Sequence, residues 1–272
     1  MDFQPKKSLG QNFLNSDYVP TKLCDAAALA PGEQVLEIGP GTGVLTRALL
    51  ARGAQVVAVE TDQRALAYLE TAFAEAISTG QLTIIEHDAR TLDPATLQLR
   101  DKQYKVVANI PYYLSGRLLR QLLDTETQPT TLVFLIQKEL AERIARTKKS
   151  SLLSLSVAAF GTPRYITTIK RTHFSPPPKV DSAILQVTDI THDRVPVGKR
   201  AAFFDLLHRG FGQKRKQLLG NLSATYPRES LTNTFDTLGL PLTARAEDLT
   251  LDDWLRLFTH LSSPAFSTAR PG

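Results

Sequence analysis

Short apolar runs alternate with longer amphipathic stretches between residues 34 and 137. The apolar runs are rich in β-branched residues and nearly continuous, as in strands that are buried on both faces of a sheet. They predict strands at 34–39, 55–60, 82–86, 105–109 and 131–137, with helices at 42–51, 63–78 and 116–123. This order is typical of repeated βαβ units, so we expect a parallel sheet covered by helices.

The pattern changes in the second half of the chain. Two more strands are predicted at 164–169 and 183–188, after a helix at 152–160, and the stiff proline-rich loop 175–178 separates them. From about residue 190 only helical patterns remain, at 199–211, 215–224, 228–238 and 251–261. We therefore expect an α/β domain at 1–189, a smaller all-helical domain at 190–261 and a flexible tail at 262–272.

Composition excludes several classes of protein. Hydrophobic residues make up 42% and charged residues 22% of the chain, which is ordinary for a folded globular protein. No apolar run is long enough to span a membrane and no signal peptide is visible, so we expect a soluble, cytoplasmic protein. Cys24 is the only cysteine and the five histidines have no metal-ligand spacing, so we expect no disulfide and no metal site.

Positive charge is concentrated in one stretch. The chain has a net charge of +5, and residues 199–216 hold six basic residues and one acidic residue. A basic stretch can be a solvated helix face, or it can bind the phosphates of a nucleic acid. The cluster Lys214, Arg215 and Lys216 favours contact with an anionic partner.

A glycine-rich turn joins the first predicted strand to the first predicted helix. Its glycines stand at 39, 41 and 43, whereas the dinucleotide fingerprint G-x-G-x-x-G needs its third glycine at 44, where this chain has Val44. The turn therefore favours S-adenosylmethionine over a dinucleotide, with the backbone at Gly39 close to the cofactor.

Acidic residues end the second and third predicted strands. Glu60 stands where a carboxylate can accept both hydroxyls of a ribose, and Asp88 can accept from the adenine amine of the same cofactor. The alternative is that both residues are strand-end acids that cap the next helix.

The segment Asn109-Ile110-Pro111-Tyr112 follows the fourth predicted strand, at the sheet edge where open α/β folds bind ligands. The Asn109 amide oxygen and a backbone carbonyl beside Pro111 can accept the two hydrogens of an exocyclic amine, which aims its lone pair at a methyl donor. Tyr112 can stack on the base. The alternative is a structural turn in which Asn109 caps and Tyr112 packs.

Six motifs follow one another along nearly the whole chain: residues 7–14 (KSLGQNFL), 37–46 (EIGPGTGVLT), 109–113 (NIPYY), 137–139 (QKE), 174–183 (FSPPPKVDSA) and 211–218 (FGQKRKQL). Each motif alone is only moderately specific. Together, in this order, they resemble the ribosomal RNA adenine N6,N6-dimethyltransferase family that modifies small-subunit rRNA. The resemblance implies a Rossmann-like class I methyltransferase sheet with a helical C-terminal domain.

The same resemblance implies roles for particular residues. The implied contacts to S-adenosylmethionine are Asn12, Leu14, Gly39, Glu60, Asp88 and Asn109. The residues implied to hold the target adenine are Asn109, Pro111, Tyr112 and Phe174, with Phe174 as the second aromatic of a sandwich around the base. Phe174 would otherwise be interpreted as a core residue, and the segment before Leu14 as a mobile leader.

The family's substrate is a pair of adjacent adenosines in a hairpin loop near the 3′ end of small-subunit (16S) rRNA. The resemblance therefore implies a partner, the assembling small ribosomal subunit, on which the enzyme acts as a monomer. Unpaired loop bases suit this chemistry because they can be splayed out at little cost. Arg164, Lys170, Arg171 and Lys179 can extend the basic surface of residues 199–216.

Two other functions stay open from the sequence. A related adenine methyltransferase of the large subunit, which confers macrolide resistance, shares the cofactor site, although the 174–183 motif and the long helical domain fit the small-subunit enzyme better. A non-catalytic RNA-binding assembly factor is the second alternative, and the intact set of site residues argues against it. The chain departs from the family pattern at residues 149–151 and at residues 7–9.

Overall fold

The computed structural model describes residues 12–262, so motif residues 7–11 and tail residues 263–272 lie outside the described part. The chain divides into two compact units. The first contains residues up to Arg146 and Gly161–Thr191, and the second contains Thr147–Phe160 and the chain from His192. The segment 147–160, which the sequence analysis grouped with the α/β domain, therefore belongs to the helical unit.

Within the described residues, seven strands form the main sheet of the first unit in the order β4-β3-β2-β5-β6-β9-β7. These strands are β2 (Gln34–Ile38), β3 (Gln55–Glu60), β4 (Leu82–Glu86), β5 (Tyr104–Asn109), β6 (Thr131–Gln137), β7 (Thr162–Ile169) and β9 (Ser182–Thr188). The five neighbouring strands β4, β3, β2, β5 and β6 pair in parallel. Strand β9 runs antiparallel to both of its neighbours, β6 and β7. The predicted parallel sheet is confirmed, with an antiparallel pair at one edge.

Helices cover this sheet. They are α1 (Tyr18–Ala27), α2 (Val44–Ala51), α3 (Gln63–Ala72), α4 (Ala74–Ser78), α5 (Ser115–Leu123) and α6 (Lys138–Ala145). The predicted helix 63–78 is two helices that meet at Phe73, whose φ of −121° departs from helical geometry. Two helices, α1 and α6, were not predicted from the hydrophobic pattern.

Two very short strands lie outside the main sheet. Strand β1 (Phe13–Leu14) pairs antiparallel with β8 (Phe174–Ser175), and Leu14 lies opposite Phe174. Neither strand is long enough to show a two-residue hydrophobic period, so the sequence pattern does not reveal this pairing.

The order of the strands places a crevice at one edge of the sheet. Strand β2 lies between β3 and β5. The chain therefore adds β3 and β4 on one side of β2, and then β5 and β6 on the other side. Loops that leave the carboxyl ends of neighbouring strands then separate above and below the sheet, and open α/β folds bind their ligands in the resulting crevice.

The second unit is helical. Its helices are α7 (Leu152–Ala158), α8 (Val197–Gly210), α9 (Leu218–Leu222), α10 (Arg228–Leu238) and α11 (Leu251–Leu261). Buried aromatic rings form its core: Phe203 packs edge-on against Phe258 at 5.4 Å, and Trp254 is fully buried. No described helix in either unit is both long and apolar enough to cross a membrane.

The departure from the family pattern at residues 149–151 is explained inside the second unit. Lys149 forms an ion pair with Glu247, whose backbone carbonyl also accepts from the Ser150 N–H at 2.8 Å. Ser151 caps α7 through reciprocal hydrogen bonds with Ser154. The start of α7 is therefore held by the local Ser151 cap and by the long-range contacts of Lys149 and Ser150 with Glu247.

Candidate active site

A cleft of about 730 Å³ opens at the carboxyl ends of the parallel strands. This volume lies in the usual range for sites that bind small molecules. The cleft is lined by every residue that the sequence analysis assigned to the cofactor or the target base: Asn12, Leu14, Gly39, Glu60, Asp88, Asn109, Pro111, Tyr112 and Phe174.

The glycine-rich turn needs its glycines for different reasons. Gly39, Gly41 and Gly43 all have positive φ, of 67°, 57° and 73°. A Cβ on Gly43 would lie 2.4 Å from Cε2 of Phe73, so this glycine permits close packing. Gly39 lines the cleft, and a Cβ on this residue would meet no atom within 4 Å and would project into open space. Gly39 therefore keeps part of the cleft clear.

Backbone N–H groups hold the Glu60 carboxylate. Its Oε1 accepts from Thr61 at 2.8 Å and Asp62 at 3.0 Å, and its Oε2 accepts from Gly41 at 3.2 Å. A carboxylate has about four lone-pair positions, so one position on Oε2 remains for a ligand. The sequence analysis predicted contacts with two ribose hydroxyls, and with these bonds kept the carboxylate can accept one.

Asp88 lies at the cleft but is engaged by Arg90. Its Oδ1 accepts from the Arg90 backbone N–H at 2.8 Å, which caps a short 3-10 turn, and Oδ2 lies 2.6 Å from the Arg90 guanidinium. This guanidinium holds the pKa of Asp88 below its usual range. Asp88 therefore caps this turn, and its contact with the cofactor stays a prediction that requires a ligand amine to displace the exposed Arg90 side chain.

The same arrangement recurs one strand away. Asp62 caps α3 and accepts from the side chain of Arg64 at 2.6 Å. Both pairs line the cleft, although the sequence analysis assigned only Asp88 to it. The shared pattern Asp-x-Arg after two adjacent strands was the available signal.

Asn109 ends β5 with its amide group in the cleft. Its Nδ2 donates to the backbone carbonyl of Asn12 at 3.2 Å. This bond uses one of the two N–H groups of the amide, and Oδ1 can act as an acceptor. Of the two carbonyls beside Pro111, that of Pro111 already accepts from the Leu114 N–H at 2.9 Å, which favours the carbonyl of Ile110 as the second acceptor for an amine.

Tyr112 and Phe174 are the aromatic residues assigned to the target base. The Tyr112 hydroxyl lies 2.8 Å from Oγ of the fully buried Ser182, and burial raises the pKa of Tyr112. Phe174 is only 3% exposed and packs in the core of the first unit while lining the cleft. Both rings lie at the same cleft, and their role as a base sandwich stays a prediction.

Glu37 is a site feature that the sequence analysis missed. It is 1% exposed and lines the cleft, with Oε2 accepting from Thr46 Oγ1 at 2.7 Å. Its Oε1 is buried and has no hydrogen-bond partner among the described residues. Burial raises the pKa of Glu37 to about 8. The signal available in sequence was its position inside a strand predicted to be buried on both faces.

The basic stretch of residues 199–216 separates into three environments. Arg200 is buried with its guanidinium 5.5 Å from the Phe160 ring centroid, and Arg209 pairs with Asp205 at 2.6 Å. The cluster of Lys214, Arg215 and Lys216 is exposed on a turn between α8 and α9.

The helix predicted at 215–224 is wrong in extent, because α9 spans only Leu218–Leu222. The Asn221 amide donates to the backbone carbonyls of Gly210 at 2.6 Å and Gln213 at 3.2 Å, and these bonds hold the turn.

Comparison with known proteins gives a consistent result. A family model described as ribosomal RNA adenine dimethylase matches residues 2–263. The chain is 38% identical to the ribosomal RNA small subunit methyltransferase A of Dehalococcoides mccartyi, over 93% of this chain and 87% of that protein. It is also 38% identical to the protein of the same name from Synechocystis, over 94% of this chain and 96% of that one.

Two solved structures share the fold. A dimethyladenosine transferase from Plasmodium falciparum superposes with a TM-score of 0.76 at 25% identity, over 92% of this chain and 97% of that chain. The 23S rRNA methyltransferase ErmE gives a TM-score of 0.74 at 24% identity, over 93% of this chain and 100% of that chain. These structures support the Rossmann-like methyltransferase fold that the sequence predicted.

Proposed function

Because the chain belongs to the ribosomal RNA adenine dimethylase family, we propose that it transfers methyl groups from S-adenosylmethionine to two adjacent adenosines of 16S rRNA. The targets are the N6 amines of a hairpin loop near the 3′ end, and the product is N6,N6-dimethyladenosine. We further propose that it acts as a monomer in the cytoplasm, on the assembling small subunit.

One observation carries this proposal: Asn109 lies in the same cleft as Gly39 and Glu60. A glycine-rich turn after the first strand and a carboxylate at the end of the next strand are common to many nucleotide-binding folds. An amide acceptor and an aromatic residue after β5 add a place for a planar base with an exocyclic amine. A non-catalytic RNA-binding protein would need no such convergence.

The described residues fit S-adenosylmethionine. Gly39 leaves open space in the cleft, and Oε2 of Glu60 has one acceptor position left for a ribose hydroxyl. Asp88 can accept from an adenine amine once the exposed Arg90 side chain moves aside. Asn12 and Leu14 line the same cleft from the N-terminal side. When bound, the cofactor supplies an electrophilic methyl group on a sulfonium centre.

The chain's part in the chemistry is to present the amine. Asn109 Oδ1 and the Ile110 carbonyl accept the two N6 hydrogens, which pulls the nitrogen toward tetrahedral geometry and directs its lone pair. The bond from Asn109 Nδ2 to Asn12 fixes the amide in the required orientation. Tyr112 and Phe174 hold the ring of the base, and orientation replaces a dedicated general base.

The small-subunit substrate is favoured over the large-subunit substrate by sequence likeness. Relatives named for the small subunit are 38% identical to this chain, whereas the large-subunit enzyme ErmE is 24% identical and supports the fold alone. We assign phosphate contacts to Lys214, Arg215 and Lys216 of the second unit, which are exposed.

The decisive experiment supplies purified protein with radiolabelled S-adenosylmethionine and either immature small subunits that lack the modification or large subunits. We expect label in 16S rRNA, mapped by mass spectrometry to adjacent dimethyladenosines. The variant Asn109→Ala should lose more than about a hundredfold in turnover, because amine orientation is lost, while RNA binding is retained.

Asn233→Ala is a matched control, because Asn233 is an exposed asparagine on α10 in the second unit. It should leave turnover unchanged. Label found only in large-subunit RNA would overturn the substrate, and full turnover by Asn109→Ala would overturn the assigned role of the amide.

A further inference from the structure

A stacked aromatic pair with one exposed ring lies in the first unit, next along the chain to a residue that lines the cleft. The rings of Tyr18 and His173 stack with centroids 5.2 Å apart and planes inclined by 21°. Tyr18 is 49% exposed, and the Lys22 ammonium lies 5.8 Å from its ring centroid. We call Tyr18, His173 and Lys22 the aromatic platform.

Hydrogen bonds hold the His173 part of the platform. Oγ of Ser16 lies 3.3 Å from Nδ1 of His173. The backbone N–H of Asn15 donates to the His173 carbonyl at 3.1 Å, and the Asn15 amide donates to the Thr172 carbonyl at 2.9 Å. Because these bonds hold His173, the ring that stacks on Tyr18 is in place before a ligand binds, which lowers the entropic cost of binding.

The platform is continuous with the wall of the cleft. His173 directly precedes Phe174, and Phe174 pairs with Leu14 in the two short strands β1 and β8. Leu14 and Phe174 both line the cleft. A strand of nucleic acid with one base in the cleft therefore has its neighbouring nucleotides close to the platform.

Charge around the platform suits an anionic polymer. The segments 12–22 and 170–175 carry Lys22, Lys170 and Arg171 against Asp17. The carboxylate of Asp181 accepts the Arg171 backbone N–H at 2.9 Å and is the other acid in this neighbourhood. Within residues 12–262, none of the three basic side chains forms an ion pair with a carboxylate. Their charges are available to phosphates.

We propose that the aromatic platform stacks an unpaired nucleotide next to the target adenosine, with Lys170 and Arg171 on its phosphates. Cationic side chains beside exposed aromatic rings are the usual means of binding single-stranded RNA. The inference rests on the proposed function for its ligand, an RNA loop. It adds a binding surface in the first unit, separate from Lys214, Arg215 and Lys216.

The test measures binding separately from methyl transfer. The probe is a fluorescent RNA hairpin with the target loop, together with a series of hairpins in which one loop nucleotide at a time is abasic. We expect Tyr18→Ala to raise the Kd for the intact hairpin about tenfold, as loss of one base stack does. One abasic hairpin should bind wild type about tenfold more weakly and show no further loss with Tyr18→Ala.

Three comparisons make the result specific. Tyr18→Phe should bind the hairpin as tightly as wild type, because the ring is kept. Leu242→Ala is a control for loss of exposed apolar surface, since Leu242 is 43% exposed in the second unit, and it should bind normally. Lys170→Ala and Arg171→Ala should each lower the salt dependence of binding by about 0.7 in log-log slope.

The proposal fails if Tyr18→Ala weakens all hairpins equally, because no single nucleotide then contacts the ring. It also fails if Tyr18→Ala weakens S-adenosylmethionine binding in parallel, because the change then acts by displacing residues 12–14. Coupling to one nucleotide of the hairpin, without any methylation of immature small subunits, would support the platform and contradict the proposed function instead.

Discussion

The Tyr112 hydroxyl lies 2.8 Å from Oγ of Ser182, so β9 fixes a ring that follows β5. Ser182 is fully buried, and burial also raises the pKa of Tyr112, which keeps the hydroxyl protonated. This hydrogen bond orients the ring that we assign to the target base. Mutations can remove the hydrogen bond while they keep the ring, so the effect of orientation and the effect of stacking can be measured separately.

The variants Tyr112→Phe and Ser182→Ala each remove this bond and keep the ring. We expect each to lower the free energy of unfolding by about 1 kcal/mol and to reduce kcat/KM less than tenfold. Tyr112→Ala also removes the stacking surface and should reduce kcat/KM about a hundredfold. Thermal unfolding and hairpin methylation measure both effects, and equal losses for Tyr112→Phe and Tyr112→Ala would contradict the stacking role.

Gly39→Ala and Gly32→Ala form a matched pair. Both glycines have positive φ, and a Cβ at either position meets no atom within 4 Å, but only Gly39 lines the cleft. Each variant should lose about 1–2 kcal/mol of stability from backbone strain. Only Gly39→Ala should also weaken S-adenosylmethionine binding, by about tenfold or more, in a calorimetric titration. Equal cofactor affinities in the two variants would remove Gly39 from the cofactor site.

Arg90 occupies the carboxylate that we assign to the cofactor's adenine amine. Asp88→Asn should therefore weaken cofactor binding, because a charged acceptor is lost. Arg90→Ala should strengthen it, because the ligand no longer displaces a guanidinium. Arg64→Ala is the control, since Arg64 pairs with Asp62 in the same way but at a carboxylate without an assigned ligand. Weaker binding by Arg90→Ala would show that Arg90 contacts the cofactor itself.

Burial raises the pKa of Glu37 to about 8, from an ordinary value of 4.5. The folded state then binds more protons than the unfolded state between these values, so this residue makes stability fall as pH rises through that window. Glu37→Gln removes the titration and can keep the bond from Thr46 Oγ1. Its melting temperature relative to wild type should rise between pH 5 and pH 8.5, and a constant difference over that range would refute the raised pKa.

Lys214, Arg215 and Lys216 are exposed together on the turn between α8 and α9. Replacing all three with alanine should weaken binding to small-subunit rRNA and lower its log-log salt slope by about 2, if each contacts one phosphate. Lys199→Ala is a single-charge control from the same basic stretch. An unchanged slope in the triple variant would exclude this cluster from the RNA interface.

The sequence alone determined the strands β2 to β6 and the convergence of the residues assigned to the cofactor and the target base at one cleft. Nearly continuous apolar runs identified β2 to β6 within about one residue of their bounds, because strands buried on both faces admit few polar residues. The carboxyl ends of these parallel strands meet at one edge of the sheet. Residues that follow successive strands, such as Gly39, Glu60 and Asn109, therefore had to converge.

The tertiary structure decided what depends on contacts between distant parts of the chain. Asn15 bonds to Thr172, 157 residues away, and the two-residue strands β1 and β8 have no periodic signal that predicts this approach. That approach creates the aromatic platform and brings Asn12 to the Asn109 amide. Local sequence sets the backbone preferences of each element, whereas the pairing of short segments is stabilised only when the whole sheet is in place.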